Sequence, residues 1–311
     1  VAAPLIAVVG PTASGKSALA LRIARERGGE IVSCDSLQVY RGLDVGTAKP
    51  TPEERRLVPH HLIDVVSPDE VFSAAEYALR ARDALAAIAR RGRLPLVAGG
   101  SGLYLRALLQ GLFAGPARDE HLRRRLERLA GRFGDARLHR LLARGDPETA
   151  ARLRPRDRVR VVRALEVLFT TGRPISSHHR EGSEPLVGFH VLLVGLGLDR
   201  QELRRRVEAR TRGMMEGGLV EEVRGLLARG YPADLRPLQS IGYRQVVALL
   251  QGRMSRQEAE REIVTETMRF AKRQMTWFRH QASVTWFEDA DAAYRGSLEW
   301  LSRPPGTART S

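Results

Sequence analysis

Eight consecutive residues, Gly10, Pro11, Thr12, Ala13, Ser14, Gly15, Lys16 and Ser17, set two glycines in front of a lysine and a serine. Glycines at that spacing let backbone N–H groups turn inward around phosphate oxygens. The lysine adds a compact positive charge, and the serine hydroxyl can ligate the Mg²⁺ that accompanies phosphates. Polyphosphate binding is therefore indicated, with Ser17 as the candidate metal ligand and Mg²⁺ as the expected cofactor. A carboxylate follows at Asp35. It opens the block Asp-Ser-Leu-Gln-Val-Tyr-Arg-Gly-Leu-Asp-Val-Gly-Thr-Ala-Lys-Pro over residues 35–50. A second glycine-rich turn, Gly99, Gly100, Ser101 and Gly102, lies further on.

Elements of definite type must hold these residues. The apolar run 5–9 reads as a buried parallel strand and residues 18–25 as a helix docking on a sheet, the context that a phosphate-binding loop requires. Residues 30–33 form a short strand whose end delivers Asp35, residues 73–91 a long amphipathic helix, and residues 94–98 another buried strand running into the second glycine-rich turn. Strands alternating with helices predict an α/β fold: a P-loop NTPase-like core with a parallel sheet flanked by helices. Ligands in such folds collect at the carboxyl edge of the strands.

Strand signals stop from about residue 118, and Arg-rich helical patterns replace them. The expected organisation is a first core segment over 1–117, an inserted all-helical lobe over 118–186, a second core segment over 187–302 and a disordered tail over 303–311. The sheet resumes near Phe189. Helices are expected over 200–229, 239–250 and 255–281, with a last strand over 284–287.

The 311 residues carry 51 Lys and Arg against 36 Asp and Glu, a net charge of +15 with a pI near 11.0. That excess exceeds what a small substrate needs and points to a polyanion, nucleic acid first. Only Lys16, Lys49 and Lys272 are lysines, so each is a candidate for a place where a compact ammonium matters. The single Cys34 excludes an intramolecular disulfide, and no leader or bilayer-length apolar run is evident, so a cytoplasmic protein with no membrane partner is expected. Cys34 itself reads as a small strand residue rather than a nucleophile. The pairs His60-His61 and His178-His179 lack cysteine partners and helical ligand spacing, and both are read as loop residues. With 5% aromatic residues, a multi-base stacking platform is not expected.

The chain resembles the bacterial tRNA dimethylallyltransferases, the IPP transferase family. The resemblance rests on residues 10–17, 35–50, 59–64 (Pro-His-His-Leu-Ile-Asp), 99–104, 163–167 with 171–176, 217–223, 241–245 and 272–279, which span almost the whole chain. One departure is Ser101, where the family usually has Thr; the hydroxyl is kept and the rotamer-restricting methyl is lost.

The resemblance implies transfer of a dimethylallyl group from dimethylallyl diphosphate to the exocyclic amine of the adenosine 3′ of the anticodon, in tRNAs reading codons that begin with U. The loop 10–17 then neutralises a departing diphosphate, helped by Lys16, the Ser101 hydroxyl and a basic residue, Arg210 with Arg206 as its rival. Asp35 is implied as the general base, a water-bridged Mg²⁺ ligand being the other reading. Ser36, Leu37 and Gln38 join Asp35 and Ser101 on the flipped base. Val159, Arg160, Val161, Val162 and Arg163, together with Arg123, are implied as tRNA contacts. The anticodon loop and dimethylallyl diphosphate are the expected partners of a monomer. The competing readings are a P-loop small-molecule or nucleotide kinase, an RNA-binding NTPase switch, and an isopentenyltransferase acting on free adenylate; the excess of charge argues for whole tRNA.

Overall fold

The computed structural model describes residues 2–113, 115–116, 118–180 and 182–303. The chain runs through β1 (Ala3–Val9), α1 (Lys16–Arg27), β2 (Gly29–Cys34), α2 (Pro52–Leu57), β3 (His60–His61), α3 (Ala74–Arg90), β4 (Leu94–Gly99) and α4 (Gly102–Gln110). The helices α5 (Glu120–Phe133), α6 (Asp135–Gly145), α7 (Pro147–Arg152), α8 (Arg158–Thr171) and α9 (Ile175–Arg180) come next. Then follow β5 (Phe189–Leu196), α10 (Arg200–Glu216), α11 (Leu219–Ala228), α12 (Tyr243–Leu250), α13 (Arg256–Gln281), β6 (Thr285–Phe287) and α14 (Ala290–Leu301).

Leu5, Ile6, Ala7, Val8 and Val9 have no exposed surface, so β1 must be covered on both faces and paired on both edges. It is an inner strand of a six-stranded sheet ordered β3-β2-β4-β1-β5-β6, with every pair parallel. One face carries Ile6 and Val8 against Leu19, Ala20 and Ile23 of α1. The other carries Leu5, Ala7 and Val9 in a core with Tyr77, Ala81, Leu85 and Ile88 of α3. Because the strands are parallel, all their carboxyl ends lie on one edge, where β1, β2 and β4 release Gly10, Asp35 and Gly100.

The chain divides into two compact units, 1–109 with 186–311 and 110–185. The second is helical, its core built from Leu126, Ala130, Leu138, Leu142, Val161 and Leu165. It begins at Gln110, the last residue of α4, ahead of the boundary expected at residue 118. Side-chain caps at Asp119, Asp146 and Asp157 start α5, α7 and α8.

Several expectations are corrected. His60-His61 is not loop but the edge strand β3, in register with Ile31 and Val32 of β2. The pair lacks alternation because a two-residue edge strand has none to show, and the His61 ring is held by Glu30 at 2.7 Å. His178 and His179 lie in α9, against the ring of Phe113. The helix expected over 200–229 is two helices, broken where Gly218 takes φ +100°. The helix expected over 239–250 opens as a 3₁₀ turn, Arg236–Gln239, before α12. Residues 304–311 of the expected tail lie outside the described residues. Among the described residues no helix is long and apolar enough to cross a membrane.

Candidate active site

Between β1 and α1 the loop 10–17 turns on Gly10 (φ +142°), Ala13 (φ +63°) and Gly15 (φ +92°). Gly15 caps α1 without a side chain, and no acidic residue occupies the first turn, so neither a cap nor a carboxylate there offsets the positive end of the helix. Among the described residues the N–H groups of Ala13 and Gly15 meet no acceptor. The Ser14 hydroxyl is buried with no hydrogen-bond partner. An unpartnered buried hydroxyl costs about 1–3 kcal/mol. Unspent donors converging at a helix N-terminus fit a polyphosphate. The Ser17 side chain, exposed at the mouth of the loop and unbonded to any described residue, is free to ligate a cation.

Two cations face this loop. Lys16 donates to the Pro11 carbonyl at 3.1 Å. Burial, then the neighbouring Arg210 guanidinium, pushes its ammonium down to about 8, although Asp35 pulls the other way. Arg210 is lowered by its own burial, with Asp35 opposing, and it donates no hydrogen bond to a described residue. Two adjacent cations whose charges depress one of them form a site tuned for an anion. Arg206 sits differently: its Nε donates to Glu202 at 2.7 Å and its Nη1 grazes the Ser14 carbonyl at 3.5 Å. Arg210 thus faces Lys16 and Asp35, while Arg206 lies on the outside of the loop in an ion pair.

The acceptor side is built by the ends of β2 and β4. Asp35 takes the Leu37 N–H on Oδ1 at 2.9 Å, which fixes the carboxylate and leaves Oδ2 free. Ser101 Oγ accepts the Ser36 N–H at 3.0 Å, so the hydroxyl proton remains available to donate outward. That bond holds the Ser101 oxygen in place without the methyl a threonine would add. The turn around Ser101 needs its glycines for closeness: a Cβ on Gly99 would lie 2.1 Å from the Cys34 carbonyl, and one on Gly102 2.4 Å from the Trp277 ring. Cys34 beneath it is inert, burial pushing its thiol up to about 12.

Gln38 is not placed to read a base. Its Nε2 donates to the Thr47 and Ala48 carbonyls at 3.2 Å each, and its Oε1 accepts from Ser33 at 2.9 Å. The side chain ties the loop instead. That loop is wound around Lys49, whose ammonium donates to the Tyr40 carbonyl (2.6 Å), Asp44 (2.6 Å) and Asp64 (2.5 Å), three donors for three acceptors. From outside, Glu222 accepts the N–H groups of Asp44 (2.8 Å), Val45 (2.7 Å) and Gly46 (3.2 Å), and the Tyr243 hydroxyl at 2.6 Å. Lys272 is exposed on α13.

Sequence reasoning gave no role to Glu222, Tyr243 or Gln274. The signal for Gln274 was present: on α13 the buried positions are 259, 263, 264, 271, 274 and 278, and a glutamine on such a stripe asks for partners. It has two. Its Oε1 accepts the Thr12 N–H and its Nε2 donates to the Gly100 carbonyl, each at 2.9 Å.

In the helical unit, Arg123 and Arg163 are committed inward. Glu166 is fully buried, accepting from Arg123 at 2.8 and 2.9 Å, from Arg163 at 2.6 Å and from the Asp119 N–H at 2.8 Å. Burial alone would raise this carboxyl; the guanidinium groups outweigh it and hold it near 2. A phosphate contact from either arginine would compete with that pairing. Val161 and Val162 are core residues, 1% and 3% exposed, because their side of α8 turns inward. Only Val159 and Arg160 of the expected segment present side chains outward, 75% and 74% exposed.

Fold and site together define a P-loop α/β protein with a polyphosphate cradle, a carboxylate and a hydroxyl on one sheet edge. The IPP transferase family matches residues 38–281, and the chain belongs to that family. It is 54% identical over 287 residues to the tRNA dimethylallyltransferase of Geobacter metallireducens, covering 91% of this chain and 92% of that one. A second relative, the tRNA dimethylallyltransferase of Koribacter versatilis, is 49% identical over 91% and 92% of the two chains. Among solved structures, the tRNA isopentenylpyrophosphate transferase of Bacillus halodurans is 39% identical with a TM-score of 0.69, covering 96% of this chain and 95% of the other. A eukaryotic dimethylallyltransferase acting on tRNA shares the fold, with a TM-score of 0.79 over 99% of this chain and 81% of that one at 24% identity.

Proposed function

We propose that this chain transfers the dimethylallyl group of dimethylallyl diphosphate to the exocyclic amine of the adenosine 3′ of the anticodon, in tRNAs whose codons begin with U, releasing diphosphate. The observation that carries this reading is the pairing of the cation site, Lys16 with Arg210, with the fixed carboxylate of Asp35 on one sheet edge. An anion leaves on one side, and a proton is taken up on the other. The names of the relatives support transfer to tRNA over the kinase reading.

The loop N–H groups, Lys16, Arg210 and the Ser101 hydroxyl hold the diphosphate and stabilise it more as the carbon–oxygen bond breaks and its charge grows. The amine lone pair forms the new carbon–nitrogen bond while the electrons of the breaking bond leave with diphosphate. The displaced N–H proton passes to the free Oδ2 of Asp35. The Ser17 hydroxyl would hold Mg²⁺, which when bound would supply further neutralisation of the diphosphate charge. The target adenine must leave its stack, at a cost of a few kcal/mol that backbone contacts offset; the net charge of +15, with exposed Arg160 on α8, suits that task. The protein works as a monomer in the cytoplasm.

Incubation of the protein and Mg²⁺ with unmodified tRNA and labelled dimethylallyl diphosphate, or labelled ATP, tests the reading. Prenyl label on one anticodon-loop adenosine with ATP untouched is expected. ATP consumption without prenylation would overturn it.

A further inference from the structure

We propose that Gln274 is a positioning residue for this reaction, one that sets the spacing between the diphosphate loop and Ser101; the inference rests on the function proposed above. The loop follows β1 and the Ser101 turn follows β4, and these two strands are hydrogen-bonded neighbours up to the pair Val9 and Gly99. Beyond that pair the chains diverge, since one must curl around an anion and the other must start α4. Thr12 and Gly100 then have a backbone donor and acceptor that cannot reach each other. The Gln274 carboxamide bridges them, accepting from Thr12 and donating to Gly100 at 2.9 Å each. A carboxamide has the donor and acceptor of a peptide group, so it extends the β1–β4 ladder by one rung borrowed from α13.

Three further observations narrow the role to positioning. Gln274 is only 7% exposed, so its head group is not free for a substrate. A Cβ on Gly100 would come within 2.3 Å of Gln274 Nε2, which ties the glycine at that position to this contact. One turn along α13, Trp277 covers Gly102, where a Cβ would meet the ring at 2.4 Å. Helix α13 therefore holds the residues on both sides of Ser101, and the same glutamine fixes the loop that presents Lys16. Both groups must converge on one departing diphosphate, and a misplacement of about 1 Å costs on the order of 100-fold in rate.

The test uses the full chain with Gln274→Met, which keeps the length and removes both bonds, and Gln274→Glu, which keeps the acceptor for Thr12 but opposes the Gly100 carbonyl with a second acceptor. Rates are measured well below each variant's unfolding midpoint, with dissociation constants for tRNA and for inorganic diphosphate. Expected for Gln274→Met are a kcat lower by about 10- to 100-fold, tRNA affinity within about twofold and diphosphate affinity weakened. In a Ser101→Ala background the same substitution should cost less, because one of the two turns that Gln274 holds then carries no hydroxyl to misplace. A kcat within about twofold of the unsubstituted protein, or full additivity with Ser101→Ala, overturns the inference. If Gln274→Met does not fold, Gln274→Glu decides by the same criteria. Should the unsubstituted protein transfer no prenyl group, the functional reading fails, and the diphosphate constants still decide for or against Gln274.

Discussion

Replacing Lys16 with methionine should make the protein more stable and inactive at once. The ammonium is held near 8, below its ordinary 10.5, by burial and by Arg210, so the folded state bears the cost of keeping it charged. Each unit of pKa is about 1.36 kcal/mol, which puts the cost at roughly 3 kcal/mol at neutral pH as an upper figure. The sign follows from linkage: the folded-state value is depressed, so the unfolded chain binds the proton more tightly and the penalty applies in full below about pH 8. It is relieved between about 8 and 10.5, where the folded lysine is neutral and the unfolded one is still charged. Met has similar length and no charge. Urea unfolding of Lys16→Met and of the unsubstituted protein should differ by about 1–3 kcal/mol in favour of the variant at pH 7, and the gap should close toward pH 10.5. Inorganic diphosphate should stabilise the unsubstituted protein and leave the variant unmoved. A variant that is less stable at pH 7, or a difference that does not change with pH, would refute the argument that the site stores an uncompensated charge.

Asp35→Ala should abolish prenyl transfer while leaving tRNA affinity within a few fold, and full activity in a single-turnover assay would remove Asp35 as the base. Arg160→Ala should weaken tRNA binding and reduce the salt slope of log K by about one unit, as one released counterion requires; an unchanged slope counts against the contact. Glu166→Gln should destabilise the helical unit by about 3–5 kcal/mol by leaving Arg123 and Arg163 partly unpaired, read as a lowered thermal midpoint. The same carboxyl, held near 2, contributes stability that is present above about pH 4.5 and is lost as pH falls through 2, a loss the Gln variant should not show.

The residues that declared themselves in the sequence were those whose chemistry is local. The strand–turn–helix around Lys16 could be read because eight adjacent residues make the loop, and β1, β2 and β4 because continuous apolar runs mean burial on both faces. Helix α13 was expected over 255–281 and is found at Arg256–Gln281, started by the Ser255 cap. What escaped depends on distance along the chain. Gln274 meets Thr12 across 262 positions, and Glu222 meets Val45 across 177, so no window of sequence contains both partners. Arg123 and Arg163 were implied as tRNA contacts by the resemblance; Glu166 lies 43 residues from Arg123 and three from Arg163, and nothing local shows that this carboxylate is buried and holds both guanidinium groups. For Gln38 the resemblance implied a base contact, and the structure shows its amide hydrogen-bonded to its own loop, a pairing no short window of sequence displays.

The rung supplied by Gln274 also orders events during synthesis. The diphosphate loop is synthesised well ahead of the helix that completes it, Thr12 preceding Gln274 by 262 positions, so a nascent chain carries half a site until α13 follows. Without α13 the Thr12 N–H and the Gly100 carbonyl wait for a partner, and the two turns they belong to are free to drift. Competence therefore arrives at one late step, when α13 docks, and a chain released early is expected to hold neither substrate in register.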